Sequence, residues 1–246
     1  MTLKQVLTIA GSDSGGGAGI QADLKAMWAN GVFAMSVITA ITAQNTEEVT
    51  DVFELPISII AAQIDAVFDD FEVSAVKTGM LPSADIVVMV AKMLRPQHVT
   101  NLVVDPVMIS KSGQALLKPD AMEALKHDLI PLALVVTPNV HEAQELSGIQ
   151  IESLGDARQA AKAIHKLGCK HVLIKGATCR PTRGPISSTT DGSSRSTRAN
   201  SSRCPTPMGP GAPSRRLSPH NWREENLYPM RSKPRRRISP KPSAIP

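Results

Sequence analysis

Short apolar runs alternate with amphipathic stretches over the first 176 residues of the chain. The runs predict six β-strands, at residues 6–10, 35–42, 74–77, 102–105, 134–137 and 171–175. Apolar residues at helical spacing predict helices between them, at residues 20–30, 57–68, 84–94, 119–129, 141–148 and 157–167. Strands separated by helices indicate βαβ units, and therefore an α/β fold with helices on both faces of a mostly parallel sheet.

This periodicity stops after Gly176. Residues 177–246 are dominated by Ser, Thr, Pro and Arg, and no apolar run among them exceeds two residues. A segment of this composition cannot bury a core of its own. The sequence therefore predicts an incomplete α/β domain at residues 1–176, followed by a disordered Pro/Ser/Arg-rich tail at residues 177–246.

Charge divides the chain at the same place. The formal net charge of +5 combines 13 Lys+Arg against 19 Asp+Glu in residues 1–176, which is −6, with 14 against 3 in residues 177–246, which is +11. A basic tail can bind nucleic acid through phosphates. This tail offers only Trp222 and Tyr228 for base stacking, so nucleic acid is the disfavoured partner.

Several classes of protein are disfavoured by what the sequence lacks. It has no run of 18 apolar residues, so no membrane span is expected. The N-terminus lacks the basic-then-apolar pattern of a signal peptide. The three cysteines, Cys169, Cys179 and Cys204, have neither metal-binding nor disulfide-framework spacing. We therefore expect a reduced, cytoplasmic setting.

A glycine-rich segment, GSDSGGGAG at residues 11–19, lies between the first predicted strand and the first helix. Glycines allow a ligand to approach the backbone closely, and the helix that follows offers free N–H groups. The segment is not a Walker loop, because no Gly-Lys-Ser/Thr follows it. Nor is it the dinucleotide fingerprint, because Ile20 stands where the third glycine belongs. Taken alone, the run is equally compatible with a flexible turn.

Polar residues and glycines also gather where the other predicted strands end. The clusters are TAQNT at residues 42–46, KTGM at 77–80, DPVM at 105–108 with KSG at 111–113, TPN at 137–139 with Glu142, and KG at 175–176. In a parallel sheet the carboxyl ends of the strands share one edge, and ligands bind there. We therefore expect these clusters to converge on one surface.

These residues resemble the hydroxymethylpyrimidine and phosphomethylpyrimidine kinases of thiamin synthesis, within the ribokinase superfamily. The phrases LTIAGSDSGGGAGIQADLK, SVITAITAQNT, AVKTGML, LVVDPVM, KSG, VVTPN with EA and EL, and VLIKG look like that family in order and spacing. The resemblance covers residues 4–176. It implies a ribokinase-like three-layer αβα sandwich, here lacking its C-terminal strands and helices. The DPV and TPN phrases are shared with pyridoxal kinases, so a pyridoxal-type vitamin kinase is the alternative enzyme.

The resemblance also implies a substrate-binding set. Gln44 is expected to hydrogen-bond an aminopyrimidine, because a carboxamide can pair with both a ring nitrogen and an amino group. Gly11, Met80 and Val107 are expected to line the same pocket, and Asp23 to lie on the substrate side. Each has a structural alternative: a turn residue for Gln44, ordinary core for Met80 and Val107, and a solvated helix carboxylate for Asp23.

The implied reaction is transfer of the ATP γ-phosphoryl group to the hydroxymethyl group of the pyrimidine, and then to its phosphate. Asp105 and Glu142 are expected to organise Mg²⁺, directly or through water, together with Asn139. Asn139 and Lys175 are expected on the ATP side, and a helix cap is the alternative for Asn139. The role of Lys77 is left open. A family-like homodimer is a further expectation.

One part of the family pattern is missing. The family has a late Gly-Thr-Gly-Cys loop, whose backbone N–H groups form an anion hole and whose cysteine lies beside the acceptor hydroxyl. The chain contains no such loop, so no catalytic residue of the family is intact. We expect impaired activity from the chain as written, with a non-catalytic pyrimidine-binding remnant as a second alternative.

A single-base deletion accounts for this loss. The family phrase Lys-Gly-Gly-His-Leu becomes Lys-Gly-Ala-Thr-Cys, as at residues 175–179, when one G is lost from AAG GGN GGC CAC CTG. One base away, codons for residues 206–214 can encode Thr-His-Gly-Thr-Gly-Cys-Thr-Phe, which contains the missing anion hole. The sequence therefore predicts that residues 177–246 are out of frame, through a damaged gene or a sequencing error.

Overall fold

Nine strands form a single sheet in the computed structural model, which describes residues 3–108 and 118–176 and the backbone of residues 189–190 and 193–194. The strands are β1 (Gln5–Asp13), β2 (Phe33–Gln44), β3 (Val49–Glu54), β4 (Val73–Thr78), β5 (Leu102–Val104), β6 (Val135–Val136), β7 (His171–Val172), β8 (Thr189–Thr190) and β9 (Ser193–Ser194). Their order is β3-β2-β1-β4-β5-β6-β7-β8-β9. The six central strands are parallel and follow one another in the sheet as β2, β1, β4, β5, β6 and β7. Strands β3, β8 and β9 pair antiparallel.

Six α-helices connect or flank these strands. They are α1 (Gly19–Ala29), α2 (Ile57–Asp70), α3 (Ala84–Leu94), α4 (Pro119–Ala124), α5 (Val140–Ser147) and α6 (Leu154–His165). Helix α1 packs on β1 and β2, α2 packs on β2 and α3, and α5 packs on α6, which reaches β7. The described residues all belong to one contact unit, residues 1–199, and residues 200–246 lie outside them.

The core is aliphatic, as the scarcity of aromatic residues requires. Among the described residues, the largest fully buried side chains are all Leu, Ile or Val: Leu7, Ile9, Ile60, Ile64, Ile86, Leu102, Leu129, Ile130, Ile164, Val37, Val76 and Val87. They come from the sheet and from the helices on it, so burial of β-branched and leucine side chains holds the layers together.

The six predicted strands and the predicted helices are confirmed, with three differences. Strand β3 (Val49–Glu54) was not predicted, because polar residues interrupt its apolar positions and it lies at a sheet edge. The predicted helix 119–129 is α-helical only to Ala124 and continues as a π-helical turn at Leu125–Leu129. Beyond residue 176, β8 and β9 extend the sheet from β7, and the prediction for the rest of the tail concerns residues outside the described ranges.

None of the helices in the described ranges is both long and apolar enough to cross a membrane.

Two adjacent isoleucines of α2 provide a matched test of the core. Ile60 is fully buried, whereas the neighbouring Ile59 is 48% exposed. We expect Ile60→Ala to lower the free energy of unfolding by about 2–5 kcal/mol, because it removes buried methyl groups and leaves a cavity. Ile59→Ala should change it by less than about 0.5 kcal/mol. Urea denaturation followed by far-ultraviolet circular dichroism measures both, and equal effects would contradict the described packing.

Candidate active site

Asp13 organises the glycine-rich loop between β1 and α1. Its side chain is buried, and its two carboxylate oxygens accept three backbone N–H groups of the loop. Oδ1 accepts from Gly15 at 2.8 Å, and Oδ2 accepts from Gly17 at 2.9 Å and Ala18 at 2.7 Å. Because three amides of the loop donate to one carboxylate, these bonds hold the loop in one conformation at the start of α1.

Two glycines make close contacts at the base of this loop, and at Gly19 the contact is with backbone and requires glycine. Gly19 has φ +55°, and a Cβ at this position would collide with the carbonyl oxygen of Gly11. A Cβ at Gly11 would lie 2.5 Å from Cε of Met80. The structure therefore brings Gly11 and Met80 into contact, and their predicted place in a substrate pocket stays a prediction.

Ser14 fastens the loop to the end of β2. Its Oγ donates to the carbonyl oxygen of Gln44 at 2.7 Å and accepts from the backbone N–H of Gln44 at 2.8 Å. Gln44 therefore lies opposite the loop, across a cleft. The residues lining this cleft are Asp13, Gly15, Gly17, Ala18, Gln44, Asn45, Thr46, Glu47, Glu48 and Val49.

Asp23 lies one turn into α1, in contact with the sheet. Its Oδ2 accepts from the hydroxyl of buried Thr8 at 2.6 Å and pairs with Nζ of Lys77 at 2.8 Å. Asp23 is therefore neither a solvated helix carboxylate nor one of the residues lining the cleft. Its predicted contact with substrate stays a prediction.

The ion pair of Asp23 continues as a row of alternating charges along the carboxyl ends of the strands. Nζ of Lys77 lies 4.0 Å from Oδ2 of Asp105, and Nζ of Lys175 lies 2.6 Å from Oδ1 of the same carboxylate. The side chains of Asp23, Lys77 and Asp105 are 15%, 24% and 19% exposed. Two carboxylates and two ammonium groups thus compensate one another where burial would make a single charge costly.

Asn139 and Glu142 form the N-terminal capping box of α5. The side chain of Asn139 accepts from the backbone N–H of Glu142 at 2.9 Å, and Glu142 accepts from the backbone N–H of Asn139 at 2.7 Å. Asn139 also forms a parallel bridge with Lys175. The helix cap that is the alternative role for Asn139 is therefore present. The bridge places this cap beside Lys175.

The carboxyl group of Glu142 is buried. Desolvation raises its pKa above the ordinary value of 4.5, against the opposing effects of the Asn139 N–H and of Lys175. The nearby charge of Asp105 also raises this pKa, and a backbone N–H bond from Met108 lowers it. Glu142 thus connects the start of α5 to the loop that follows β5.

Asp105 and Glu142, the carboxylates expected to organise Mg²⁺, both have partners within the protein. The described residues contain no group of three His, Cys, Asp or Glu side chains that could hold a metal ion. Oδ1 of Asp105 is paired with Lys175, and Glu142 accepts backbone N–H groups on both sides of it. A role for these carboxylates in organising Mg²⁺, directly or through water, stays a prediction.

The remaining predicted residue, Val107, is half-buried after β5, and its N–H donates to the carbonyl oxygen of Asp105 at 2.9 Å. Among the described residues no bond joins it to Gln44.

Three residues for which the motifs predict no role organise the cleft: Asp13, Ser14 and Thr42. A signal was present, because Asp and Ser at the start of a glycine run are the side chains that accept or donate to loop backbone. The KSG cluster at residues 111–113 lies outside the described residues.

Comparison of the sequence with known proteins identifies its family. Residues 13–212 match the family model described as phosphomethylpyrimidine kinase. The chain belongs to this family. It is 53% identical over 174 residues to the hydroxymethylpyrimidine/phosphomethylpyrimidine kinase of Haemophilus influenzae, covering 71% of this chain and 65% of the relative. It is 49% identical over 176 residues to the Bacillus subtilis protein of the same name, covering 72% and 65%. The chain therefore spans just under two thirds of the length of these relatives.

Solved structures confirm the predicted ribokinase-like α/β fold. The crystal structure of phosphomethylpyrimidine kinase from Clostridium difficile superposes with a TM-score of 0.74 at 48% identity, covering 80% of this chain and 84% of that one. An ADP complex of Bacillus subtilis pyridoxal kinase also gives 0.74, at 37% identity, covering 83% and 78%. The shared fold thus does not separate the two kinds of kinase, whereas sequence identity is higher to the pyrimidine kinase.

Removal of the Asp13 carboxylate tests the loop. We expect Asp13→Ala to lower the free energy of unfolding by about 1–3 kcal/mol, because three amides lose their acceptor. The amides of Gly15, Gly17 and Ala18 should also exchange faster with solvent deuterium. Asp65→Ala, at an exposed position of α2, is the control and should stay within about 0.5 kcal/mol of the unaltered protein. Unchanged stability with unchanged amide protection in Asp13→Ala would contradict the assignment.

Glu142 should give the stability of the protein a defined dependence on pH. Because its pKa is raised on folding, the folded state binds this proton more tightly than the unfolded state. The contribution of Glu142 to the free energy of unfolding therefore falls as pH rises from 4.5 through the raised pKa. We expect the stability of the unaltered protein minus that of Glu142→Gln to fall over this range, in urea titrations at successive pH values. A constant difference would refute this, and exposed Glu145→Gln controls for the loss of one charge.

Proposed function

We propose that the complete enzyme transfers the ATP γ-phosphoryl group to 4-amino-5-hydroxymethyl-2-methylpyrimidine and then to its monophosphate, as a step in thiamin diphosphate synthesis. The observation that carries this proposal is the cleft between the glycine loop and Gln44, which Ser14 holds together. A carboxamide opposite backbone amides offers both a donor and an acceptor to an aminopyrimidine edge. The names of the relatives support the same substrate.

On the nucleotide side, we propose that Lys175 and Asn139 lie against ATP. They are neighbours at the carboxyl ends of β6 and β7, and Lys175, whose side chain is 43% exposed, supplies an ammonium group. A pyridoxal kinase from Staphylococcus aureus, 35% identical to this chain, has been solved with the ATP analogue AMP-PCP and pyridoxal. Transfer of this kind depends mainly on positioning and charge neutralisation, which the row of lysines and aspartates can supply. A homodimer is proposed on the family resemblance alone, and a cytoplasmic location on the cysteine usage, which indicates a reduced setting.

Pyridoxal is the second candidate substrate, because the pyridoxal kinases share this fold. The higher identity to pyrimidine kinases favours the pyrimidine. Competition between the two vitamins for the same protein, measured by calorimetry, decides between them: displacement of the pyrimidine only by large excess of pyridoxal supports the first proposal.

We further propose that residues 177–246 are the catalytic portion read one base out of frame. The support is that the relatives extend beyond the matched part, which covers 65% of their length, and that the anion-hole phrase is absent from the chain. Resequencing the DNA around codons 176–178 tests the proposal. A read with the extra G identifies a sequencing error, and a read without it identifies a damaged gene. A third-base pattern that cannot encode the anion-hole phrase would exclude both.

The chain as written and the frame-restored chain should differ in turnover far more than in binding. We expect both to bind the hydroxymethylpyrimidine in isothermal titration, because Gln44 and the glycine loop are common to them. ATP turnover of the chain as written should be at least about 100-fold lower, since losing even one oxyanion donor has an effect of this size.

The control is Gln44→Ala, which should weaken binding of the pyrimidine by about 5- to 30-fold in both chains. Equal turnover in the two chains would overturn the frameshift proposal, and binding unaffected by Gln44→Ala would overturn the assignment of the cleft.

A further inference from the structure

Thr42 connects the end of β1 to the side chain of Gln44. Its hydroxyl is buried, with the residue 5% exposed. Oγ1 lies 3.0 Å from the carbonyl oxygen of Ser12 and 3.1 Å from Oε1 of Gln44, and both of these oxygens can only accept a hydrogen bond. The contact with Gln44 follows from strand geometry, because residues two apart on β2 point to the same face of the sheet. The contact with Ser12 occurs where the register of β1 against β2 shifts, between Ala10 and Ser12.

A hydroxyl has one hydrogen to donate and can also accept. The carbonyl oxygen of Ser12 can only accept, so a bond to it uses the single hydrogen of Thr42. The amide group of Gln44 that faces Thr42 must then be a donor if both contacts are to be hydrogen bonds. Oε1 occupies this position in the structure, but the oxygen and nitrogen of a carboxamide are nearly isosteric, so rotation of the amide by half a turn places the nitrogen there without a change of shape.

Only one orientation of the amide satisfies both contacts. With its nitrogen towards Thr42, Gln44 donates to Oγ1 while Thr42 donates to Ser12, and two hydrogen bonds form. With its oxygen towards Thr42, two acceptors compete for one hydrogen and one of them loses its bond. The first orientation therefore forms one hydrogen bond more within the protein and is favoured.

We propose that Thr42 is a positioning residue that determines substrate specificity. It fixes the orientation of the Gln44 amide, so that the carbonyl oxygen and the second N–H of this amide face the cleft in one order. This inference rests on the proposed function of the cleft. A 4-aminopyrimidine presents an amino donor beside a ring-nitrogen acceptor, which complements that order. Its 4-oxo analogue presents a carbonyl acceptor beside a ring N–H donor, which is the reverse pattern. An amide fixed in this orientation can hydrogen-bond both groups of the first pattern. The second pattern places donor against donor and acceptor against acceptor.

Isothermal titration of the full chain with the 4-amino compound and with its 4-oxo analogue tests this directly. The unaltered protein should bind the 4-amino compound more tightly. Thr42→Val keeps the shape but removes the hydroxyl, so Gln44 can rotate, and the preference should fall by about fivefold or more. Thr42→Ser retains the hydroxyl and should retain the preference. Thr42→Ala is a second variant without the hydroxyl, with the same expectation should the valine variant fail to fold.

Thr50→Val is the matched control. Thr50 lies on the neighbouring strand β3, and its hydroxyl donates to the backbone carbonyl of Ala43 on β2 at 3.0 Å. It should leave the preference unchanged. Thr42→Val weakening both ligands by the same factor would show a merely structural role and overturn the inference, as would the absence of a preference in the unaltered protein. Failure of the unaltered protein to bind either ligand would instead overturn the proposed function, and the inference with it.

Discussion

The carboxylate of Asp13 holds the part of the structure on which the cleft depends. Glycine runs have many accessible conformations, and their ordering is opposed by backbone entropy. Three bonds from loop amides to one buried carboxylate offset this cost and leave Ser14 in position to bind the backbone of Gln44. The loop, the end of β2 and the cleft between them therefore form one connected unit.

A second constraint is electrostatic. Helix α1 and the carboxyl ends of β4, β5 and β7 bring Asp23, Lys77, Asp105 and Lys175 into a row in which each charge faces the opposite sign. Such a row is compatible with partial burial, because no charge is left uncompensated. It also explains why Asp105 does not resemble an open metal ligand: its two oxygens already face ammonium groups. The same lysines are suited to phosphate oxygens, which would compete with Asp105 for them.

Much of the fold follows from local pattern, and the exceptions have physical causes. Apolar runs such as that of β1 and amphipathic helices such as α3 are visible because each buries a continuous face. Strand β3 is hidden because an edge strand buries only part of one face. The change from α-helix to π-helix at Leu125 is hidden because it leaves the apolar periodicity of the segment nearly intact. In the site, Gln44 and Gly11 were recognisable from their motif, whereas Thr42 resembles any other threonine of a strand.

The sequence by itself determined the alternation of strands and helices, the convergence of polar clusters at strand ends and the family to which residues 4–176 are similar. Composition and charge also change after Gly176, and this change predicts the boundary of the kinase-like part there. Only the tertiary structure decided how the side chains are paired: that Asp13 serves the loop, that Asp23 faces Lys77 and that Asn139 caps α5 beside Lys175. Hydrogen bonds and ion pairs join residues up to 70 positions apart, and their geometry depends on strand order and register, which local periodicity does not encode.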